Sequence, residues 1–243
     1  MTQHAAAEFW DRRYAERDQI WSGEANQALV VAVAGLRPGR ALDLGCGEGG
    51  DSVWLAGQGW HVTAVDIAAT AIARAKKLAG HAIPNGRITW VTADLGVWHP
   101  AGQYDLVSAC FLQSPIDFPR TTVLRRAASA VAPGGHLLVV SHAEVPPWAN
   151  GHDHAGHRFP SPAEELDSLQ LPDAGWDTLI SETRPRQAFG PDGEEATLRD
   201  TVIFAHRRPE SRPAVPQREA RARGREHQER PHRQQQPRGA GDF

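Results

Sequence analysis

Five short apolar runs, at 41–45, 61–66, 88–94, 104–111 and 136–143, alternate with stretches of helical periodicity at 49–58, 68–79 and 119–132. Strand and helix by turns means a parallel sheet, because each return to a parallel strand needs a crossover, usually a helix packed on the sheet. The fold class is therefore α/β, doubly wound, with helices on both faces of a mostly parallel sheet. Pro133-Gly134-Gly135 reads as the stop of the helix before the last of these strands, since proline cannot continue a helix and glycine permits a left-handed cap.

The flanks read differently. Apolar spacing over 24–36 predicts a helix leading into the sheet, ended by Gly35 and Pro38, and before it Phe9, Trp10, Tyr14 and Trp21 make an aromatic arm. Downstream, Ser161 with Glu164 three residues on predicts a capped helix over Pro162–Leu169. Two late strands, 176–184 and 197–206, flank Gly190-Pro191-Asp192-Gly193, whose turn chemistry favours a hairpin and so an antiparallel edge pair. Beyond Arg208 almost no residue is apolar, and such a segment cannot offset its own ordering entropy. The expected organisation is an amino-terminal helical arm at 1–36, a main domain at 37–208 and a disordered Arg/Gln/Pro-rich tail at 209–243.

Asp43-Leu44-Gly45-Cys46-Gly47-Glu48-Gly49-Gly50 lies between the first strand and the next helix, where glycines let the backbone turn tightly against a ligand. Gly45, Gly47 and Gly50 also satisfy the dinucleotide fingerprint GxGxxG, which leaves a nicotinamide oxidoreductase open. Asp43 weighs against it: a carboxylate there repels a pyrophosphate but suits the cationic amino-acid end of S-adenosylmethionine. Asp66 at the second strand end can accept from two ribose hydroxyls, and Asp94 after the third can receive an adenine amino group while Leu95 packs on the ring.

Taken in order, residues 42–49, Asp66, Asp94-Leu95, the YDLVSA strand and APGGHLLVV resemble the motifs of class I S-adenosylmethionine-dependent methyltransferases. The FWDRRYxxxxxxW arm also resembles the tellurite-resistance and thiopurine methyltransferase group. The resemblance implies a seven-stranded, Rossmann-like sheet whose last strand is antiparallel to its neighbours. It implies that Gly45, Cys46 and Gly47 approach the methionine portion, that Asp66 and Ile67 meet the ribose, and that Asp94 and Leu95 meet the adenine. Cys110 and Phe111 would line the floor near the transferred methyl, although core packing accounts for them equally well, and the arm would cap the cofactor.

A sulfonium already activates the methyl group, so alignment and water exclusion suffice unless the acceptor arrives protonated. His142 at the end of the fifth strand is the candidate general base, an imidazole being suited to proton transfer near neutrality; a structural loop histidine is the alternative. His152, His154 and His157, with His142 and Glu144 before them, could ligate zinc or nickel. Their spacing fits no rigid shell, so the expectation is a lid over the acceptor and no metal. Trp10, Tyr14, Trp21, Trp148 and Phe159 could offer an apolar pocket for a flat or soft acceptor.

The net charge is −3, and the arginine-rich tail makes the body more acidic than that total, which argues against a phosphate-binding face and for a small-molecule acceptor. Two cysteines suggest neither a disulfide framework nor a cysteine zinc site. No apolar run approaches the ~20 residues of a membrane span, and the amino end lacks a signal-peptide pattern, so a cytoplasmic enzyme is expected. A protein that binds the cofactor without turning it over is the remaining alternative.

Overall fold

The computed structural model describes residues 3–80, 83–148, 159–190 and 193–210. Its strands are β1 (Arg40–Leu44), β2 (His61–Asp66), β3 (Ile88–Thr92), β4 (Tyr104–Cys110), β5 (Val131–His142), β6 (Trp176–Phe189) and β7 (Glu195–Arg207). They form one seven-stranded sheet in the order β3-β2-β1-β4-β5-β7-β6. The pairings among β1 to β5 are parallel, and β7 alone runs against both of its neighbours, β5 and β6.

Alternation along the strands divides the core between two faces. Leu42, Leu44, Val107, Leu137 and Val139 pack with Val123, Leu124 and Ala127 of helix α5 (Arg120–Ser129) and with Leu169 of α6 (Pro162–Leu169). Ala41, Val62, Ala64, Leu106, Leu138 and Val140 pack on the other face with Leu29 and Val33 of α2 (Gln27–Val33) and Leu55 of α3 (Gly50–Gly57). Helix α4 (Ala69–Ala79) follows β2, and Ala71 packs with Tyr14 of the amino-terminal helix α1 (Gln3–Ala15). The doubly wound α/β reading is thereby met, including the antiparallel strand.

Local structure departs from the sequence reading at three places. The helix expected over 24–36 is only seven residues long, because Asn26 accepts a hydrogen bond from the Ala28 N–H and caps it there. Pro133-Gly134-Gly135 does not stop a helix: α5 has already ended at Ser129, and the three residues form a bulge inside β5. Val131 pairs with Tyr104 but His136 pairs with Leu106, so five steps on one strand oppose two on the other. A Cβ on Gly135 would stand 3.0 Å from three backbone carbonyl oxygens, which is why glycine sits there. The late hairpin is also longer than expected, reaching Phe189, since Pro185 lies on an edge strand that has a ladder on one side only. The cap of α6 is as read: the Glu164 N–H donates to Ser161 Oγ and the Ser161 N–H to the Glu164 carboxylate.

Candidate active site

The carboxyl ends of β1, β2, β4 and β5 meet at one edge of the sheet. Strand order reverses between β1 and β4, which is where open α/β sheets form a crevice. The loop after β1 starts there, and its first two amides, Gly45 and Cys46, both donate to the Val65 carbonyl at 2.8 and 3.0 Å. Gly47 takes φ = 52° and donates its N–H to Asp66 Oδ2 at 2.9 Å; a Cβ on it would stand 3.0 Å from the Tyr14 hydroxyl. Leu112, two residues past β4, lies against Gly45 from the other side.

Asp66 is buried, with its second oxygen accepting the Ala68 N–H at 2.9 Å. Burial raises its carboxyl above the ordinary range despite these bonds, so both oxygens are oriented while part of their acceptor capacity remains. Ile67 follows, half-buried. Ala93 donates to the Asp66 carbonyl at 2.9 Å, which brings the end of β3 beside β2 and places Asp94 there, its carboxylate accepting the Gly96 N–H at 2.8 Å. Leu95 is buried in the core with the α5 side chains, so its side chain faces the sheet rather than open crevice.

Asp43 is buried too, accepting from Ser52 Oγ at 2.6 Å and Ser108 Oγ at 3.3 Å. Asp51 takes the Asn26 N–H at 2.6 Å, and the Cys110 thiol lies beside it. Burial pushes the Cys46 and Cys110 thiols well up, so both are neutral. Three carboxyls, Asp43, Asp51 and Asp66, thus surround the glycine loop, and among the described residues no basic side chain offsets them.

Burial, then the charge of Asp51, pushes the Asp43 carboxyl up to about 7, against the hydroxyl bonds that lower it. A carboxyl that holds its proton more tightly folded than unfolded contributes stability fully below about pH 4 and loses it as pH rises through the folded value. Unfolding free energy is therefore expected to fall between about pH 4 and 7, this group contributing up to about 1.4 kcal/mol per pH unit. Asp43→Asn should flatten that slope in urea titrations at a series of pH values; an unchanged slope would assign it elsewhere.

Glu48, from the same loop, reaches outward. Its carboxylate accepts from the backbone N–H of Ile20 and Trp21 at 3.0 and 2.9 Å and pairs with Arg74 at 2.8 Å. Trp21 Nε1 donates to the Tyr14 hydroxyl at 3.1 Å, so the aromatic arm is latched over the glycine loop. Trp10 packs beside Tyr14 with ring centroids 6.3 Å apart, whereas the histidine run at 152–157 lies outside the described residues.

At the β4 and β5 ends, Phe111 takes φ = 55°, a left-handed conformation that a bulky residue rarely adopts. Its ring stacks on His142 with centroids 4.2 Å apart. Asp200 of β7 faces His142 Nδ1 at 3.5 Å and binds Arg186 Nε at 2.7 Å. Sequence reasoning missed Asp200, Arg186, Asp51, Ser52 and the latch through Glu48. The signal for Asp200 was present: it is the polar member of the buried series Leu198, Asp200, Val202, Phe204 on one face of a strand. Among the described residues no three His, Cys, Asp or Glu side chains group as a metal site, and no helix is long and apolar enough to cross a membrane.

Residues 14–175 match the sequence model of a family described as a methyltransferase domain. The chain is 37% identical over 135 residues to ribosomal RNA small subunit methyltransferase C of Alcanivorax borkumensis, covering 51% of this chain and 39% of that protein. It is 31% identical over 118 residues to the probable thiol methyltransferase 2 of Arabidopsis thaliana, covering 46% of this chain and 50% of the other. The matched stretch thus spans half or less of these curated relatives. Among solved structures, the N-methyltransferase NodS of Bradyrhizobium japonicum WM9 in complex with S-adenosyl-L-homocysteine superposes with a TM-score of 0.60 at 18% identity, over 85% of this chain and 99% of that one, a likeness of fold.

Proposed function

Because the chain belongs to the methyltransferase-domain family, we propose that it is a cytoplasmic enzyme that moves the methyl group of S-adenosylmethionine to a small-molecule acceptor. The observation that carries the reading is the glycine loop set among the buried carboxyls of Asp43, Asp51 and Asp66 with no basic side chain to offset them among the described residues. A ligand bearing a sulfonium and an ammonium group supplies the missing positive charge, and a pyrophosphate would add to the negative. When bound, S-adenosylmethionine supplies an already activated methyl carbon, so the protein's part is to hold, align and keep out water.

Each residue then has its work. Gly45, Cys46 and Gly47 present backbone to the methionine portion, and the acidic group around Asp43 favours its cationic end. Asp66, oriented by two backbone N–H groups, receives the ribose hydroxyls, with Ile67 beside it. Asp94 receives the adenine amino group, with buried Leu95 supporting that wall from the core rather than stacking on the ring. Cys110, neutral and beside Asp51, closes the floor, and the arm held by Glu48 shields the loop from water. The small-molecule class rests on the acidic balance of the body, which disfavours an RNA backbone; relatives named for ribosomal RNA and for thiols both exist.

Calorimetric titration tests the reading. S-adenosylmethionine and S-adenosylhomocysteine are expected to bind with micromolar or tighter affinity, and NADH and NADPH to show no heat of binding. Binding of a reduced nicotinamide instead would overturn it.

A further inference from the structure

Residues 110–113 join two halves of the site. Cys110 reaches Asp51 and Leu112 lies on Gly45, on the glycine-loop side. On the other side the Phe111 ring stacks on the His142 imidazole, and Gln113 Oε1 accepts the His142 backbone N–H at 2.8 Å. The left-handed backbone of Phe111, at φ = 55°, is strained for a bulky side chain. It is held in place by the bond from its own N–H to the Val140 carbonyl at 2.7 Å and by the His142 stack. Strain maintained in this way places His142 beside the end of β4, one strand from the glycine loop.

His142 and Asp200 are direct partners across the antiparallel β5/β7 ladder. Asp200 is 4% exposed, and its Oδ2 is taken by Arg186 Nε at 2.7 Å. Its other oxygen, Oδ1, is buried with no hydrogen-bond partner at ordinary distance among the described residues, and His142 Nδ1 at 3.5 Å is the group that faces it. Leaving a buried carboxylate oxygen unpaired is costly, so the imidazole proton belongs on Nδ1, aimed at Asp200. That leaves Nε2, across the ring, as a lone-pair acceptor on an imidazole whose side chain is 33% exposed. Burial alone would raise the Asp200 carboxyl, but the facing His142 and the hydrogen bond and charge of Arg186 hold it below the usual carboxylate range, so it stays anionic. Among the described residues, the charged and titratable groups near His142 include Asp200 from β7 and Arg186 from β6, whose guanidinium also lies 5.2 Å from the Phe111 ring centroid, while Arg184, opposite Asp200 on β6, pairs with Glu182 at 2.6 Å, and the Cys110 thiol and Asp51 lie on the glycine-loop side of Phe111.

We propose that His142 is the general base for the methyl acceptor, that Asp200 is the residue that positions it, and that the acceptor is a nucleophile that arrives protonated, a thiol or hydroxyl compound. The inference rests on the methyltransferase reading. The X–H proton passes to His142 Nε2, the X lone pair bonds to the methyl carbon, and the sulfur–methyl bond breaks with its electron pair left on sulfur. The imidazolium, stabilised by Asp200, then returns the proton to water. Arg186, by taking the outer oxygen of Asp200, fixes the carboxylate with Oδ1 turned to the ring.

The test begins on the ligand-free chain, by 15N NMR of labelled histidine. Neutral His142 is expected to carry its proton on Nδ1, and Asp200→Leu, which removes the facing acceptor, to move the neutral ring toward the Nε2–H tautomer. A proton on Nε2 of the wild type, or an Asp200→Leu variant that keeps the wild-type tautomer, overturns the proposal, and neither result depends on the cofactor. Turnover supplies the second readout, with 2-mercaptoethanol as an acceptor that must lose a proton and thiocyanate as one that has none. His142→Gln should cut kcat/KM for the thiol about a hundredfold and change that for thiocyanate less than threefold. Equal losses on the two would make His142 merely structural. If S-adenosylmethionine fails to bind the wild type, the methyltransferase reading falls while the tautomer result stands.

Discussion

Asp66→Ala is expected to weaken S-adenosylmethionine binding at least about a hundredfold, equivalent to about 2.7 kcal/mol, while the chain stays folded by circular dichroism. Two charge-assisted hydrogen bonds to a ribose diol, each about 1.5–3 kcal/mol when desolvated, account for a loss of that size. The protein has already met the cost of orienting the group, since the Gly47 and Ala68 N–H groups fix its two oxygens at 2.9 Å each. The variant also frees the Gly47 amide, so part of the loss comes from a loosened loop, and Asp66→Asn separates the two contributions. Asparagine can keep one backbone bond and one acceptor but drops the charge, and an affinity between those of the wild type and the alanine variant is expected. Calorimetry returning wild-type affinity for Asp66→Ala would reduce the carboxylate to a cap on the loop and leave the cofactor to be held elsewhere.

The elements proposed to hold the cofactor are legible in the sequence because they are local. Residues 43–50 announce a strand, a glycine turn and a helix start within eight positions, and Asp66 marks the end of its own strand. Where the sequence misled, a partner distant in the chain decided the outcome. Pro133-Gly134-Gly135 has the composition of a helix stop, yet the stop is Ala130, and the three residues serve a bulge whose need is set by Tyr104 and Leu106 on another strand. Asp200 is some sixty residues from His142, and nothing in either local pattern says that the ladder will set them opposite each other. Glu48 reads as an unremarkable member of the loop until Ile20 and Trp21 arrive to occupy its carboxylate.

The same non-local logic makes Glu165 the position whose loss should cost most in stability. Its side chain is 1% exposed and accepts from Arg120 Nη1 at 2.8 and 3.2 Å. Arg120 in turn donates to Ser141 Oγ at 2.6 Å and to the Leu112 carbonyl at 2.8 Å, so one guanidinium joins α5, α6, the end of β5 and the segment after β4. Removing the carboxylate leaves a largely buried positive charge without its counter-ion, which costs about 3–5 kcal/mol in comparable sites. For a domain of this size that predicts a fall in Tm of about 10 °C for Glu165→Ala. Replacing both partners with apolar residues, Arg120→Met with Glu165→Leu, removes the charge along with the counter-ion and should recover most of the loss. The double variant also releases the Leu112 carbonyl, and Leu112 is the side chain that lies on Gly45. Restored melting with weakened S-adenosylmethionine binding would therefore trace the grip on the glycine loop to Arg120 itself. A Glu165→Ala variant melting within about 2 °C of the wild type, less than 1 kcal/mol on the same scale, would show instead that water replaces the carboxylate and that the pair does not hold the site together.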